Sequence, residues 1–432
     1  MAKICKIYDV LIIGAGAAGL FLAANLRGKN VAMLEKNATP GKKILASGGG
    51  RCNVTNRRID ASNYLGDADF ATNILKNLCF KDVLKFFGEL KFNEQKQNQF
   101  FCESGAKDVL GVLLKRARQS GAHIFCGVCV KSARKILTDE NGQILDVSPA
   151  QNCDKNLTDF ETKFDQNEQN LNEVFEVVAE DGEKFYAKNL VVASGGLSYK
   201  SLGASDIGYE IAQGFGICVI PPAPALVGFT VQKDEFWFKN LSGVCFPAQI
   251  SVACANKNAA NREPKMPRKF AGDILFTHKG ISGPAVLNAS LFWRKGLIAI
   301  NFCPNFRIET AQKSKKQLST ILPLPRRFTL EFLRAAGLSD KPYGEYKADE
   351  MAKISRLFAY EFAPAGTFGF ERAEVTKGGI DTDALDVNCG RGGTRGLYFI
   401  GEVLNVTGML GGYNLHFAFA CAANLAKRLN AE

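Results

Sequence analysis

The chain opens on a run of apolar, largely β-branched positions, Tyr8 to Gly14 (YDVLIIG), that ends in glycine. A continuous apolar run without polar alternation predicts a parallel strand buried on both faces. Residues Ala17 to Leu26 place small side chains first and then repeat apolar positions at helical spacing, and Val31 to Glu35 (VAMLE) is a second apolar run. Strand, glycine turn, helix and strand thus follow within about 30 residues, the span of a βαβ unit.

Further along, residues 71–90 and 107–121 carry helical amphipathic spacing, and 123–133 reads as a strand. From Leu137 to Lys184 short strand-like pieces alternate with a polar excursion, 152–172, whose Asn, Asp, Gln and Lys content predicts a loop. Asn189 to Gly196 (NLVVASGG) is another buried strand running into two glycines. After about Ser201 the βαβ pattern stops. Residues 225–255 and 271–302 are β-rich and broken by Gly and Pro, which predicts a small antiparallel barrel or sandwich. Residues 314–362 read as helical and basic, 373–380 and 396–401 restore short buried strands, and 410–429 form an Ala-rich helix entered through glycines. There is no internal repeat. The expected fold is α/β: a Rossmann-like dinucleotide-binding domain made from residues 1–200 and 371–432, with a β-barrel-like insertion (201–310) and a small basic helical one (311–370).

Composition narrows this picture only slightly. At 432 residues, 46% hydrophobic and 22% charged, the chain is globular and long enough for two or three cores. No apolar run approaches 18 residues, so no membrane span is expected, and Val10–Gly14 is too short for a signal-peptide core. A cytoplasmic location is the expectation. Thirteen cysteines, an odd number, read as reduced thiols and not as a disulfide framework, and three histidines make a His-based metal site hard to assemble. No metal is expected.

Charge is more telling once located. Residues 256–356 hold 19 Lys/Arg against 8 Asp/Glu, which accounts for the whole +11 of the chain. Such a block reads equally as a solvated face or as a docking surface for a polyanion such as RNA.

The chemistry concentrates in three glycine-rich stretches. Gly14, Gly16 and Gly19 have G-x-G-x-x-G spacing: the first permits the turn, the second lets backbone approach a pyrophosphate, the third lets helix and strand pack. With Ala17 and Ala18 they open a helix whose free N–H groups favour phosphate. Glu35, 16 residues after Gly19, stands where a carboxylate binds ribose hydroxyls. The second stretch, Gly41 to Asn56, contains Lys42, then Gly48-Gly49-Gly50-Arg51-Cys52-Asn53: a backbone-exposed loop with a cation and a thiol, suited to the N5 and carbonyl edge of a flavin. At the far end Gly401-Glu402 follows a strand, and Gly411-Gly412-Tyr413-Asn414 starts the last helix, whose dipole suits the pyrimidine side of a reduced flavin. Lys36, Val130, Ser194 and Gly195, beside these strand ends, complete the expected cofactor set. FAD fits the three loops better than NAD as resident cofactor. Cys52, His278 and His416 are the candidate proton donors, although a His four residues into an apolar helix is more often a satisfied core residue.

These stretches together resemble the bacterial BaiN/RdsA-like family of FAD-dependent oxidoreductases, over essentially the whole chain. The most specific element is ASGGGRCNVTN (Ala46 to Asn56), supported by VVASGGLSY, LGASDIGYEIA, LFTHKGISGPAVLNAS (Leu275 to Ser290), AEVTKGGI (Ala373 to Ile380) and GEVLNVTGMLGGYNLHFAFA. The resemblance implies a FAD domain with an inserted β-barrel-like and helical region, and reduction of carbon–carbon double bonds, either in steroid-type bile-acid intermediates or in a uridine of ribosomal RNA. This chain has Asn-Leu-His where the family pattern has Asn-Leu-Gln, Asn405 in place of an Asp, and residues 386–393 in place of a Thr-Met-x-Ser-Lys-like stretch.

With no second G-x-G-x-x-G after a strand, NAD(P)H is expected to bind transiently as hydride donor. The localised basic block favours ribosomal RNA as the acceptor. The alternatives are a small unsaturated enone, a flavin-loaded RNA- or ribosome-binding protein without turnover, and a flavin monooxygenase or dehydrogenase, since fold does not fix function.

Overall fold

Apolar strands from both ends of the chain build one sheet. The computed structural model describes residues 6–139, 144–145, 172–253, 267–390 and 393–432. The chain divides into two compact units: one holds the residues up to Gly196 with 201–222 and 378–432, the other 197–200 and 223–377.

The first unit begins with β1 (Ile7–Ile13), α1 (Ala17–Asn25), β2 (Val31–Glu35), α2 (Lys42–Ala46), β3 (Asn53–Asn56) and β4 (Tyr64–Gly66). Next come α3 (Ala68–Leu75), α4 (Phe80–Phe86), β5 (Phe92–Gln95), β6 (Gln99–Cys102) and α5 (Ala106–Gln119). It continues through β7 (His123–Cys126), β8 (Val130–Thr138), β9 (Ile144–Leu145), β10 (Asn172–Ala179), β11 (Lys184–Val192) and α6 (Ile207–Gly214). The chain leaves along β12 (Val219–Ala225). The polar stretch 152–172, read above as a loop, lies outside the described residues except for Asn172, which opens β10.

The second unit contains β13 (Phe229–Thr230), β14 (Cys245–Val252), β15 (Arg268–Thr277), β16 (Gly280–Ser282), α7 (Pro284–Phe292) and β17 (Ile298–Asn301). After these come α8 (Leu318–Ile321), α9 (Arg326–Ala335), α10 (Ala348–Ser355), β18 (Tyr360–Phe362) and β19 (Gly366–Thr367). The chain returns along β20 (Val375–Ile380) to β21 (Leu397–Phe399), β22 (Val406–Gly408) and α11 (Tyr413–Ala431).

In the first unit the parallel strands run in the order β7-β2-β1-β11-β21, with Ile13 beside both Leu34 and Val192, and Val192 beside Phe399. β11 is long enough to serve two partners: its first half pairs antiparallel with β10, its second half parallel with β21. The core residues of β1, Val10 to Ile13, are buried, as a parallel sheet covered by helices requires. Helix α1 packs on α5 and on α11. Where the periodicity predicts helix over 71–90, the chain forms α3 and α4 with a break between them. The Asp82 carboxylate accepts the Cys79 N–H at 2.9 Å and so restarts the helix there.

The second unit is a seven-stranded antiparallel sheet, order β18-β17-β14-β15-β16-β13-β19, with α7 packed on β14 and β15. An aromatic cluster, Trp237, Phe246, Phe276, Phe302 and Phe328, joins α9 to this sheet. Lys377 is the C-terminal cap of α7. Its ammonium donates to the carbonyls of Ser290, Leu291 and Trp293, each at 3.0 Å, and burial draws its pKa down to about 8. Among the described residues no helix is long and apolar enough to cross a membrane.

Candidate active site

The phosphate loop follows from three steric facts in the first unit. A Cβ on Gly14 (φ 106°) would lie 2.5 Å from the Ala193 carbonyl oxygen, and one on Gly19 would lie 2.1 Å from that of Gly14. Around Gly16 nothing lies within 4 Å of the corresponding point. Two glycines therefore let backbone meet backbone, and the third leaves it bare. The amides of Ala17, Ala18 and Gly19 precede the first intrahelical bond, Leu20 N–H to Gly16 C=O (3.0 Å). They face the same end of the sheet.

Glu35 closes this loop from the end of β2. Its Oε2 accepts the Ala15 N–H at 3.0 Å, and its Oε1 accepts both the backbone and side-chain N–H of Asn37 at 2.8 Å. Asn37 also donates to the Leu202 carbonyl at 3.0 Å, joining the loop before α6 to this corner. Oε2 keeps a free lone pair for a ribose hydroxyl. Lys36 is exposed beside it. The approach to Val130 is tied to the same corner, since Val128 N–H donates to the Glu35 carbonyl and Gly127 N–H to that of Asn37, both at 3.0 Å. That approach contains Cys126-Gly127-Val128-Cys129, a C-x-x-C spacing that the cysteine reading above does not use. Burial raises both thiols, so neither is an activated nucleophile.

Gly48, Gly49 and Gly50 are all left-handed and exposed (φ 56°, 64° and 84°). Arg51 lays its guanidinium over the Phe101 ring at 4.6 Å. Cys52 turns inward with φ 54° and is fully buried. Burial pushes its thiol up to about 11, against a bond from Ser47, so it stays protonated and sealed from solvent. Asn53 and Asn56 stitch the loop to the last helix. Turned so that its oxygen accepts the Gly412 N–H (3.1 Å), the Asn53 amide donates to the Thr55 carbonyl (2.9 Å). Asn56 donates to the Gly411 carbonyl at 3.0 Å.

At the far end, Glu402 forms an ion pair with Lys43 (2.6 and 2.8 Å), which fastens the strand end after β21 to α2. Lys42, the lysine expected at the cofactor, precedes Lys43 on α2. The two lysines are adjacent, and only the fold, 359 positions away, decides which one meets Glu402. Gly401 sits against α1: a Cβ there would lie 2.9 Å from that of Ala18. Tyr413 stacks edge-on against Tyr64, and Asn414 clasps the Gly408 backbone with two bonds of 2.8 and 2.9 Å, so both shape the turn into α11. Beside the phosphate loop the Ser194 hydroxyl is buried without a hydrogen-bond partner, next to Gly195 (φ 77°), around which nothing lies within 4 Å. The Tyr209 hydroxyl on α6 is likewise buried and unpaired.

Bare backbone at Gly16, Gly49 and Gly195, an orphaned hydroxyl at Ser194 and a carboxylate at the end of β2, Glu35, fit a dinucleotide laid across the carboxyl ends of β1, β2 and β11. The chain matches the HI0933-like protein Rossmann domain family over residues 8–155 and 138–428. It is 34% identical to a ribosomal RNA dihydrouridine synthase of Haemophilus influenzae, over 97% of this chain and 98% of that one. It is 33% identical to the protein of the same name in Escherichia coli, over 97% and 98%. A 3-dehydro-bile acid delta(4,6)-reductase of Clostridium scindens is 30% identical over 98% of each chain. The chain belongs to the HI0933-like family. It is a flavin-dependent oxidoreductase.

Within this HI0933-like chain the three candidate proton donors part company. His416 is fully buried, its Nε2–H donating to the Leu78 carbonyl (3.0 Å) and its Nδ1 accepting from the Thr55 hydroxyl (2.8 Å). Burial draws its pKa down to about 4. This corrects its place among the proton donors: both ring nitrogens are spent on holding α11 to β3 and to the turn before α4. Cys52 is closed off in its own pocket. His278 lies in the second unit, exposed at the tip of the β15–β16 hairpin, where the Thr277 hydroxyl accepts the Lys279 and Gly280 N–H groups. Of the residues in place of the Thr-Met-x-Ser-Lys-like stretch, those from 386 to 390 turn around Asp386, which accepts the N–H groups of Asn388 (2.8 Å) and Gly390 (3.0 Å) and pairs with Arg428.

Proposed function

We propose that this chain is a FAD-dependent reductase that uses NAD(P)H to saturate a carbon–carbon double bond, with a uridine of ribosomal RNA as its substrate. The observation that carries the reading is the triple glycine loop Gly48–Gly50, left-handed and exposed, in the same unit as the phosphate loop and the start of α11. Full-length relatives whose names include ribosomal RNA dihydrouridine synthase support the substrate. When bound, FAD takes a hydride from a nicotinamide and supplies one to an electron-poor double bond.

The chain's own residues hold and shield that chemistry. The amides of Ala17 to Gly19 would hold the pyrophosphate and Glu35 the adenosine ribose, and Ser194 would offer an unspent hydroxyl beside the loop. The amides of the Gly48–Gly50 loop and the dipole of α11 favour negative charge on the flavin ring. Lys43 holds Glu402 in place. Of the three candidate proton donors, His278 alone is exposed.

The purified protein is expected to be yellow and to be bleached by NAD(P)H without oxygen. Ribosomal RNA from a deletion strain should lose dihydrouridine and regain it on complementation with the wild-type gene. Unchanged dihydrouridine after deletion would remove the RNA substrate. The bile-acid relative supplies the second reading, a small unsaturated enone, which consumption of NAD(P)H by such an enone would then support.

A further inference from the structure

The basic excess of the second unit is not spread evenly. From Thr310 to Leu330 the chain carries Lys313, Lys315, Lys316, Arg326 and Arg327 and no Asp or Glu. All five cations are exposed, and among the described residues none of them forms an ion pair. Just beyond this stretch Glu331 takes Arg334 and Glu350 takes Lys341.

The local structure holds these charges outward. Lys313 to Lys316 form a tight turn, in which Ser314 N–H donates to the Ala311 carbonyl (3.1 Å) and Lys316 N–H to the Ser314 hydroxyl (3.2 Å). Buried Ala311 and Leu318 anchor the turn at either side. It leads through α8 into α9, on which α8 packs. Helix α9 is fixed by its inner face: Phe328 meets Phe246 at 4.8 Å and Phe302 at 4.9 Å, and Phe332 meets Trp237 at 5.6 Å. That orientation leaves Arg326, Arg327, Leu330 and Arg334 outside. Arg327 also donates to the Asn240 carbonyl, and among the described residues the other four cations are spent on no ion pair. A face of such cations with little apolar surface fits a polyanion; a protein partner would need an apolar centre, and Leu330, 37% exposed, is the single exposed large hydrophobic residue in this stretch.

We propose that the Lys313–Lys316 turn and the amino-terminal half of α9 form the surface by which this protein holds the phosphate backbone of structured RNA. The assignment rests on the ribosomal RNA reading above and names the side chains that carry affinity in it. Phosphate contacts position an RNA without reading its sequence, so the surface sets affinity and salt dependence while the flavin site acts on the base.

The test uses the full-length flavin-loaded protein with Lys313, Lys315, Lys316 and Arg326 each changed to Gln. A control carries Lys81, Lys85, Lys91 and Lys107, exposed residues of the first unit, changed to Gln. The probe is a fluorescent stem-loop RNA of defined sequence, titrated at several salt concentrations. Loss of four phosphate contacts should lower the slope of log affinity against log salt by about 3 to 4 and weaken binding at least tenfold at low salt. The control should keep the wild-type slope, and both variants should be bleached by NAD(P)H at the wild-type rate. In the deletion strain the patch variant should restore dihydrouridine poorly.

A patch variant with the wild-type slope, or a control that falls equally, overturns the surface. Binding to phosphatidylglycerol vesicles that is lost in the patch variant while RNA binding is unchanged overturns it too, in favour of a membrane. If deletion leaves dihydrouridine unchanged, the proposed reaction fails, and the stem-loop titration still decides the surface.

Discussion

Protonating His416 in the folded chain would place a charge in the core, between two groups that already fix its tautomer. The unfolded imidazole has a pKa of 6.5 and the folded one about 4. Between these values the unfolded chain holds the extra proton, so His416 costs nothing above about pH 6.5 and destabilises progressively as pH falls toward 4, by about 3 kcal/mol in all. The Gln of the related pattern offers the same pair of groups, an N–H for the Leu78 carbonyl and an oxygen for the Thr55 hydroxyl. His416→Gln should therefore match wild type at pH 7.5 and exceed it at pH 5, by about 2 kcal/mol. Urea midpoints at the two pH values, with FAD held saturating, check this. Equal losses in both proteins would place the acid-sensitive group elsewhere. His416→Ala strands a buried carbonyl and a hydroxyl and should cost about 3 kcal/mol at pH 7.5 but only about 1 kcal/mol relative to wild type at pH 5, because it also removes the acid-sensitive group. At this scale the sequence yields residue types and spacings, but not partners. A histidine four positions into an apolar helix is legible as a core candidate; Leu78 and Thr55 as its partners are not.

The elements that the sequence shows best are those whose cause is local. β1, α1 and β2 are found almost to the residue, because a continuous apolar run, three glycines and a second run leave little choice. β3 is missed because three of its four residues, Asn53, Thr55 and Asn56, are polar and buried. It is a strand only because β6 pairs with it and α11 covers it. The glycines of the phosphate loop separate two roles that spacing alone merges. Gly19→Ala should cost about 1–3 kcal/mol in the apoprotein, because its methyl meets the Gly14 carbonyl oxygen at 2.1 Å. Gly16→Ala meets nothing and keeps ordinary backbone (φ −90°), so apoprotein stability should change by less than about 0.5 kcal/mol while FAD affinity falls at least tenfold. Urea unfolding of both apoproteins, followed by FAD titration, separates the two. If Gly16→Ala keeps its FAD, the pyrophosphate does not lie over that glycine.

On the scale of the whole chain, the sequence shows that its two ends share a nucleotide-binding unit, because strand-and-glycine texture returns after residue 373. It does not show that β-rich and basic helical stretches share one sheet, for β18 and β19 are two or three residues long and acquire their partners, β17 and β13, only in the fold. The two units can be followed separately in one sample. Both tryptophans of the chain, Trp237 and Trp293, lie in the second unit, whereas the proposed flavin site lies wholly in the first. Trp237 also contacts Phe328 at 5.7 Å, so its fluorescence reports on the aromatic cluster that holds α9. Removing the Phe328 ring from a fully buried site among Phe246, Phe276 and Phe302 should cost about 3–5 kcal/mol. If each unit unfolds on its own, Phe328→Ala should lower the melting temperature seen by tryptophan fluorescence by roughly 10 °C or more and leave flavin release near the wild-type temperature. If the chain melts as one cooperative body, both signals will fall together. The first outcome would mean that FAD binding is encoded by residues up to Gly196 with 201–222 and 378–432 alone. RNA affinity in Phe328→Ala should then fall while the flavin remains bound, because the cations of α9 keep their charge but lose the scaffold that aligns them.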